Sequence, residues 1–453
     1  MKLLPTTFLS AILMLFSLCL STKSFSQNKD SINVNEFTLS QAQAFAEVNH
    51  YKAINSDLDL KISKKKIWET TAIGLPQISG SASYRHSIDL EFEFPDEALT
   101  APGNEFMSIF GADNVSQGKL EATQLLFDGT YIVGLQAAKT YYKLSENQKE
   151  KTLVELKADV ASSYYLVLIA AENVEILKKN LSNLQQSLTE TEALLKQGFV
   201  EETDLDQLNL LKSKLTTSLG SAKVSKDIAI KMLKLSIGMG LEKAIVLKDD
   251  LDAVVNQTTL DALVASNFNA GNNADLNIMA TQRKLLDLDL KRYKMQRLPS
   301  LAAFYQYTNT AYQLEYDFYK NANWLDAQNV GISLSVPIWS SGSQGAKIKQ
   351  AQFALMKIDN QVKYFESALA LQHSNSIDQL KSKIESRNNA IKSNEIAQKI
   401  YDKTAVKHKE GLASSFELTQ IKNQLLEAQG AYINSTFELL NAKVALDKLQ
   451  NKL

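Results

Sequence analysis

Two pairs of glycines recur at one fixed separation and limit the folds open to this chain. Gly129 and Gly342 are 213 residues apart, and so are Gly198 and Gly411. In each half a helical pattern runs from the first glycine to the second, over 69 residues. At 1.5 Å per residue, such a helix is about 100 Å long. No compact domain holds a helix of that length, so two internal repeats are expected to form a coiled coil or a tube wall.

Apolar residues at heptad spacing support the long helices. From Leu153 to Leu195, and again from Leu418 to Leu453, mostly apolar residues follow steps of three and four. This spacing is the seam of a left-handed supercoil. The long helix of the second repeat, about 343–408, is less regular.

Each long helix is predicted to end in a hairpin tip, at about 197–204 and 410–417. Gly198 and Gly411 lie in these tips, because glycine tolerates the left-handed geometry that ends a helix. The returning helices then pack back along the long ones, so each repeat is a helical hairpin.

Capping residues are expected at the start of the returning helices. Thr203 is the predicted N-cap in the first repeat, with Asp204 in the first turn. In the second repeat Ser414 or Ser415 would cap, with Glu417 in the first turn.

The lengths of the helical segments predict the domain organisation. The segments 39–71 and 204–236 together nearly equal one long helix, so they can lie end to end beside it. We therefore expect repeat one at about 39–236, a linker at 237–258 and repeat two at about 259–453.

Four segments alternate polar and apolar residues, as β-strands with two unlike faces do. They are 77–94, 115–127, 300–312 and 329–339. The second strand of each pair leads into a long helix through a turn, at Asp128 and Gly129 in repeat one and at Gly342 in repeat two. Alternation alone fits a lipid-facing barrel or a half-buried sheet of a soluble domain, and the ~100 Å helices favour the barrel. Four strands cannot close a barrel, so copies of the chain must associate.

The N-terminus, residues 1–26, reads as a secretory signal peptide with a short apolar run and small residues before a cut at Gln27. A buried helix is the other interpretation. A lipoprotein signal is also open because of Cys19, although Phe16-Ser17-Leu18 lacks the small residue such a signal needs. Cleavage removes two lysines and changes the net charge from −1 to −3. It leaves residues 27–453 without a cysteine.

No pattern points to catalysis. The four histidines are scattered, and the sequence has no Gly-rich phosphate loop and no ATP-binding motif. No segment after the signal has 18 consecutive apolar residues, so a transmembrane helix is not predicted. The near-neutral charge gives no reason to expect nucleic acid. We expect no enzyme activity, no cofactor and no metal.

The doubled order of half-helix, Leu-Pro, strand pair, Phe-Asp-Gly or Trp-Ser-Ser-Gly, long helix, Gly-containing tip and half-helix resembles the TolC-like outer-membrane efflux protein family. The resemblance implies a mixed α and transmembrane-β fold, in which a homotrimer forms a 12-stranded barrel and a 12-helix periplasmic tunnel. It implies outer-membrane lipid, a periplasmic adaptor and an inner-membrane pump as partners. The implied function is a passive duct for efflux or type I secretion. A structural coiled-coil envelope protein without transport activity is the alternative.

The resemblance also implies tunnel-entrance residues. Glu417 and Gln420 match family positions that are acidic, and only Glu417 is acidic here. Asp204 matches an acidic tip position, and Thr203 lies beside it. Ala413 stands where some members carry a basic residue that locks the closed state. The alternative is that Asp204 and Glu417 only complement helix dipoles at a solvated turn.

Overall fold

The computed structural model describes residues 36–88, 112–256, 268–313 and 324–453. The predicted signal peptide, Cys19 and the end of the first predicted strand lie outside the described residues. In chain order the elements are β1 Glu36–Phe37, α1 Leu39–Asn49, α2 Tyr51–Ala72, β2 Gln77–His86, β3 Asn114–Phe127, α3 Gly129–Lys196, α4 Glu202–Ser236, β4 Val246–Leu247, α5 Ala274–Met295, β5 Ser300–Gln313, β6 Trp324–Ser335, α6 Ser343–Lys409 and α7 Ser415–Gln450.

The two long helices have the length that the glycine spacing predicts. α3 has 68 residues and α6 has 67, so each spans about 100 Å. Near the sheet, the helices lie side by side in the order α2, α3, α5, α6. Toward the hairpin tips the order is α4, α3, α7, α6. Half-length helices therefore stack along the long ones. These helices form one layer, and α6 lies at one side of it both near the sheet and toward the tips.

The four long strands form one antiparallel sheet in the order β2, β3, β5, β6. Its register aligns the apolar series of all four strands, as the row Ile78, Ala122, Tyr305 and Val330 illustrates. The polar series fall on the opposite face, which carries the Lys119–Glu121 ion pair at 2.6 Å. The sheet therefore has one apolar face and one polar face.

The fourth strand lies earlier in the sequence than the alternation predicts. It covers Trp324–Ser335 instead of about 329–339. Ser335 pairs with Ser300, the first residue of β5, so residues beyond Ser335 have no partner strand in the described part of the chain. Pro299 and Pro337 also lack the N–H that a continued ladder would need.

A core at the middle of the helices ties the linker to the first repeat. β1 pairs in parallel with β4, and the buried Tyr164 hydroxyl donates to the Phe37 carbonyl at 3.0 Å. The Leu39 N–H donates to Asp249 Oδ2 at 2.8 Å, which supplies an acceptor at the start of α1.

The same core contains several apolar residues of α3. By length and composition, α3 is the one helix among the described residues that could cross a membrane. Val160, Val167 and Ile169 of α3 are packed in the core, so burial within the protein accounts for part of the apolar character of this helix.

Gly238 connects the end of α4 to the junction of α1 and α2. Its φ is +74°, and an added Cβ would lie 2.6 Å from the Asn49 carbonyl oxygen and 2.8 Å from His50 Cα. Both contacts are with backbone, which cannot move aside as a flexible side chain can. This position therefore requires glycine for its conformation and for the close approach.

We predict that Gly238→Ala destabilises the protein by about 1 kcal/mol or more, since it combines a left-handed φ with a backbone clash. Thermal unfolding of the purified protein measures the change. Gly240→Ala is the matched control, because nothing lies within 4 Å of its Cβ position. Equal melting temperatures for the two variants would contradict the packing role of Gly238.

Candidate functional site

The two hairpin tips end their long helices in the same way. Gly198 has φ +76° and Gly411 has φ +70°. The Phe199 N–H donates to the Leu194 carbonyl at 3.0 Å, and the Leu412 N–H donates to the Lys407 carbonyl at 2.8 Å. These bonds satisfy carbonyls that a helix end would otherwise leave without partners.

The cap of α4 differs from the sequence prediction. Glu201 is the N-cap, and Thr203 lies inside the first turn, where its hydroxyl donates to Glu201 Oε2 at 3.3 Å. The reason is that Asp204, three residues after Glu201, accepts from the Glu201 N–H at 3.2 Å, which starts the helix two residues early. In the second tip Ser414 is the cap, and its Oγ accepts from the Glu417 N–H at 3.2 Å.

Asp204 joins the two repeats. Its Oδ1 accepts from the Ser415 N–H at 3.3 Å, across 211 positions of sequence. Ser415 is buried, and its Oγ lies 3.0 Å from Nε2 of the buried His408. Burial lowers the pKa of His408, with the charges of Asp204 and Glu190 acting in the opposite direction.

Glu417 and Gln420 lie on α7, next to the hydrogen bond between Asp204 and Ser415. Both side chains are exposed, and their spacing of three places them on one face of the helix. Thr203 is also exposed, whereas Asp204 is partly buried. The structure thus brings Asp204 to the second tip and leaves Glu417 and Gln420 open to solvent.

Three apolar side chains at the tips were not singled out by sequence reasoning. Phe199 is 73% exposed, Leu412 is 78% exposed and Phe416 is 65% exposed. The available signal was their position directly after or near the tip glycines, where a solvated turn would ordinarily carry polar residues.

The strand-to-helix turns are built differently in the two repeats. Asp128 Oδ1 accepts from the N–H groups of Thr130 and Tyr131, at 2.6 and 3.0 Å. Burial would raise the pKa of Asp128, but a hydrogen bond from the Thr130 hydroxyl, together with these two backbone bonds, outweighs burial and holds the pKa below its usual value. Gly129 is packed against Met295, whereas Gly342 caps α6 in the left-handed conformation without a side-chain bond.

Among the described residues, no group of three or more His, Cys, Asp or Glu side chains could hold a metal ion.

We predict that Asp204→Ala loosens the tips, because it removes the acceptor of the Ser415 N–H and one capping bond of α4. The loss of such a cap typically costs about 1 kcal/mol. Hydrogen exchange of the tip peptides should accelerate. Asp206→Ala, an exposed change two residues on, should leave the exchange unchanged. Unaltered protection of the Ser415 region in Asp204→Ala would refute the role of Asp204 in holding the two tips together.

Comparison with known proteins gives a consistent result. The family model described as outer membrane efflux protein matches residues 57–211. No curated protein sequence matches the chain. The fold is similar to that of CusC, at 15% identity and a TM-score of 0.71, over 91% of each chain.

Two further solved structures share the fold. The outer membrane protein VceC from Vibrio cholerae matches at 15% identity and a TM-score of 0.68, over 91% of this chain and 95% of that one. The Campylobacter jejuni CmeC outer membrane channel matches at 16% identity and a TM-score of 0.68, over 91% and 85%.

The family model describes an outer membrane efflux protein, in agreement with the expected outer-membrane location, and the solved structures show the same fold. The resemblance to the TolC-like outer-membrane efflux protein family is therefore confirmed, by the family match over residues 57–211 and by a channel fold that covers 91% of the chain.

Proposed function

We propose that three copies of this chain close into a ring and form the passive channel-tunnel of a tripartite efflux or type I secretion system. The observation that carries the proposal is that both layers of the chain, the sheet and the helices, end in open edges. The number three comes from the family resemblance, and the need for closure comes from the edges.

In lipid, the sheet of one chain would leave the backbone groups at its two edges without hydrogen-bond partners. In the described sheet β2 and β6 each pair with one neighbour, so each has a free edge for another strand. Ile78 is 79% exposed and Val330 is 83% exposed, at the two edges of the apolar face. Only closed barrels satisfy backbone groups of strands in a bilayer, so β6 of one copy would pair with β2 of the next.

The helical layer near the sheet also has two open apolar faces. On α2, Ile62 is 66% exposed and Trp68 is 62% exposed. On α6, Phe353 is 64% exposed and Tyr364 is 78% exposed, beside a groove of about 780 Å³ shared with α5. Two different faces at opposite ends of one layer give a head-to-tail contact, which closes into a ring when the rotation allows.

The half toward the tips shows the same arrangement. On α4, Leu210 is 74% exposed and Leu235 is 66% exposed. On α6, Ile396 is 60% exposed and Val406 is 62% exposed. The contact between copies would therefore follow the whole length of α6.

The alternative, a coiled-coil envelope rod without transport, has less support. A rod needs no four-stranded sheet with one exposed apolar face, and its helices would bury their apolar stripes against one another.

We predict a specific cross-link between copies. Ile62 lies ten residues from the sheet end of α2, and Phe353 lies ten residues from the sheet end of α6. Cysteines at both positions should oxidise to covalent dimers and trimers in outer-membrane preparations, read on denaturing gels. Ile62→Cys with Leu371→Cys is the control, since Leu371 is exposed but lies about 27 Å farther along α6. Equal yields for both pairs, or monomers only, would count against the ring.

The tips are the proposed contact with a periplasmic adaptor. Exposed Phe199, Leu412 and Phe416 give this end an apolar surface, which marks interaction sites on soluble parts of proteins. The chain carries no ATP-binding motif, so an inner-membrane pump would supply the energy.

At the tunnel entrance, Glu417 is the proposed charged residue, with Gln420 one turn on and Asp204 and Thr203 nearby. Three symmetric copies of an exposed carboxylate would raise the local cation concentration at a constriction. The carboxylate of Asp204 is already engaged by two backbone N–H groups, which favours a structural role for it.

We predict that Glu417→Gln lowers the cation preference of single channels in planar bilayers, with the largest effect at low salt because screening is weakest there. Glu427→Gln is the matched control, as an exposed glutamate on the same helix about 15 Å farther from the tip. An unchanged reversal potential in Glu417→Gln would reject the entrance role.

A further inference from the structure

A buried lysine lies in the core where the two hairpins pack together. Lys422 of α7 is only 1% exposed. It follows Leu418 by four residues and precedes Leu425 by three, and both leucines are buried. Lysine therefore occupies a position that the heptad pattern reserves for apolar side chains. Lysine is almost never fully buried without a partner, so its contacts need an explanation.

The contacts of Lys422 cross between the repeats. Its Nζ donates to Oδ1 of Asn180 on α3 at 2.8 Å, and Asn180 Nδ2 donates to Gln429 Oε1 on α7 at 2.6 Å. The same Nζ lies 4.0 Å from the ring centre of Tyr401 on α6. Asn180 is also buried, at 3% exposure. We call Lys422, Asn180 and Gln429 the polar layer.

Leucines surround the polar layer. α3 contributes Leu184 and Leu188 to this core, and α4 contributes Leu208, Leu211 and Leu215. Leucine contacts are non-directional, so one hairpin could slide along the other by a helical turn and still bury similar area. A directed hydrogen bond at one level removes this freedom, since a slid hairpin would leave a buried charge without its acceptor.

We infer that the polar layer fixes the alignment of the repeat-two hairpin against the repeat-one hairpin, with Lys422 as the positioning residue. The inference concerns the packing within one chain and goes beyond the export function proposed above. A single polar residue in a leucine core is known to specify register at a cost in stability.

The charges around Lys422 define a pH signature. Burial lowers the pKa of Lys422 from 10.5 to about 8, with Asp402 on α6 raising it and Lys179 on α3 lowering it further. On α4, Lys214 donates to Asn423, the residue after Lys422, at 3.3 Å. Between about pH 8 and 10.5 the unfolded chain binds a proton that the folded chain has lost, so stability rises with pH across this window.

The first experiment reads alignment by cross-linking within the chain. Lys214 and Asn423 lie opposite each other, whereas Glu427 lies one turn farther along α7. Cysteine pairs 214/423 and 214/427 are treated with a short bifunctional thiol reagent in the full chain. In the native background the 214/423 pair should react several-fold faster. In Lys422→Met the 214/427 yield should rise several-fold.

The control is the same chemical change elsewhere on the same helix. Lys443 is largely buried, but it pairs with Asp447 on its own helix, so Lys443→Met crosses no repeat boundary. It should leave the preference for 214/423 unchanged. Cross-links within one chain migrate as monomers and contacts between copies as dimers, so loss of alignment and loss of the ring are distinguishable.

Stability supplies the second readout. Lys422→Met combined with Asn180→Leu should melt higher than the native protein at pH 7, because the buried charge and its acceptor are both replaced by apolar side chains. The gap should narrow as the pH rises from 8 toward 10.5. Asn180→Leu alone should melt lower than the native protein, since it leaves the Lys422 ammonium group without its acceptor. The double variant should recover the lost stability.

Lys422→Gln separates the hydrogen bond from the charge and also covers a Lys422→Met chain that fails to fold. It keeps a donor for Asn180, so it should retain the 214/423 preference while losing the pH dependence. Native-like cross-linking selectivity in Lys422→Met, or slipped cross-links in Lys422→Gln, would overturn the inference.

Discussion

A helix of 68 residues presents apolar side chains along about 100 Å, and these must be covered over its whole length. No loop or small domain can do this, so the cover has to come from other helices of matching length. The chain meets this need twice, by stacking α2 and α4 beside α3 and α5 and α7 beside α6. Among the described residues, the same constraint leaves the outer side of α6 without a neighbouring helix, because α6 is the last helix of the row.

The open ends of the helical layer and the free edges of the sheet have the same cause. The helices form a single layer and the strands form a single sheet, so the chain is a wall only one element thick. A compact domain would fold such a wall back on itself. Here the wall stays extended, and the described core is instead divided among the middle of the helices and the hairpin tips. Closure with further copies then covers apolar helix faces and strand edges in one step.

Most of the architecture could be predicted from the sequence because it rests on periodicity. The 213-residue repeat, the length of α3 and the single apolar face of the sheet are consequences of regular spacing, which short-range patterns reveal. The end of β6 was misplaced, since it depends on where β5 begins and not on its own alternation. Thr203 was misassigned as a cap because Glu201 and Asp204 form a reciprocal pair that competes with it.

The joints between the repeats could not be predicted in the same way. Asp204 was noted as an acidic tip residue, but its bond to Ser415 links positions 211 residues apart and has no local signature. Lys422 looks like an ordinary helix lysine until the four helices are brought together around it. The roles of such residues are set by tertiary packing, so these roles become visible only when the two hairpins are seen side by side.

The difference between the two strand-to-helix turns has a geometric consequence for any closed ring. One turn is held by the Asp128 carboxylate and the other by a left-handed Gly342 with no side-chain bond. A ring of three chains has six such junctions around its circumference, and they alternate in kind. Its outline can approach sixfold regularity, but its stiffness repeats only every 120°, so deformation would concentrate at the three glycine junctions.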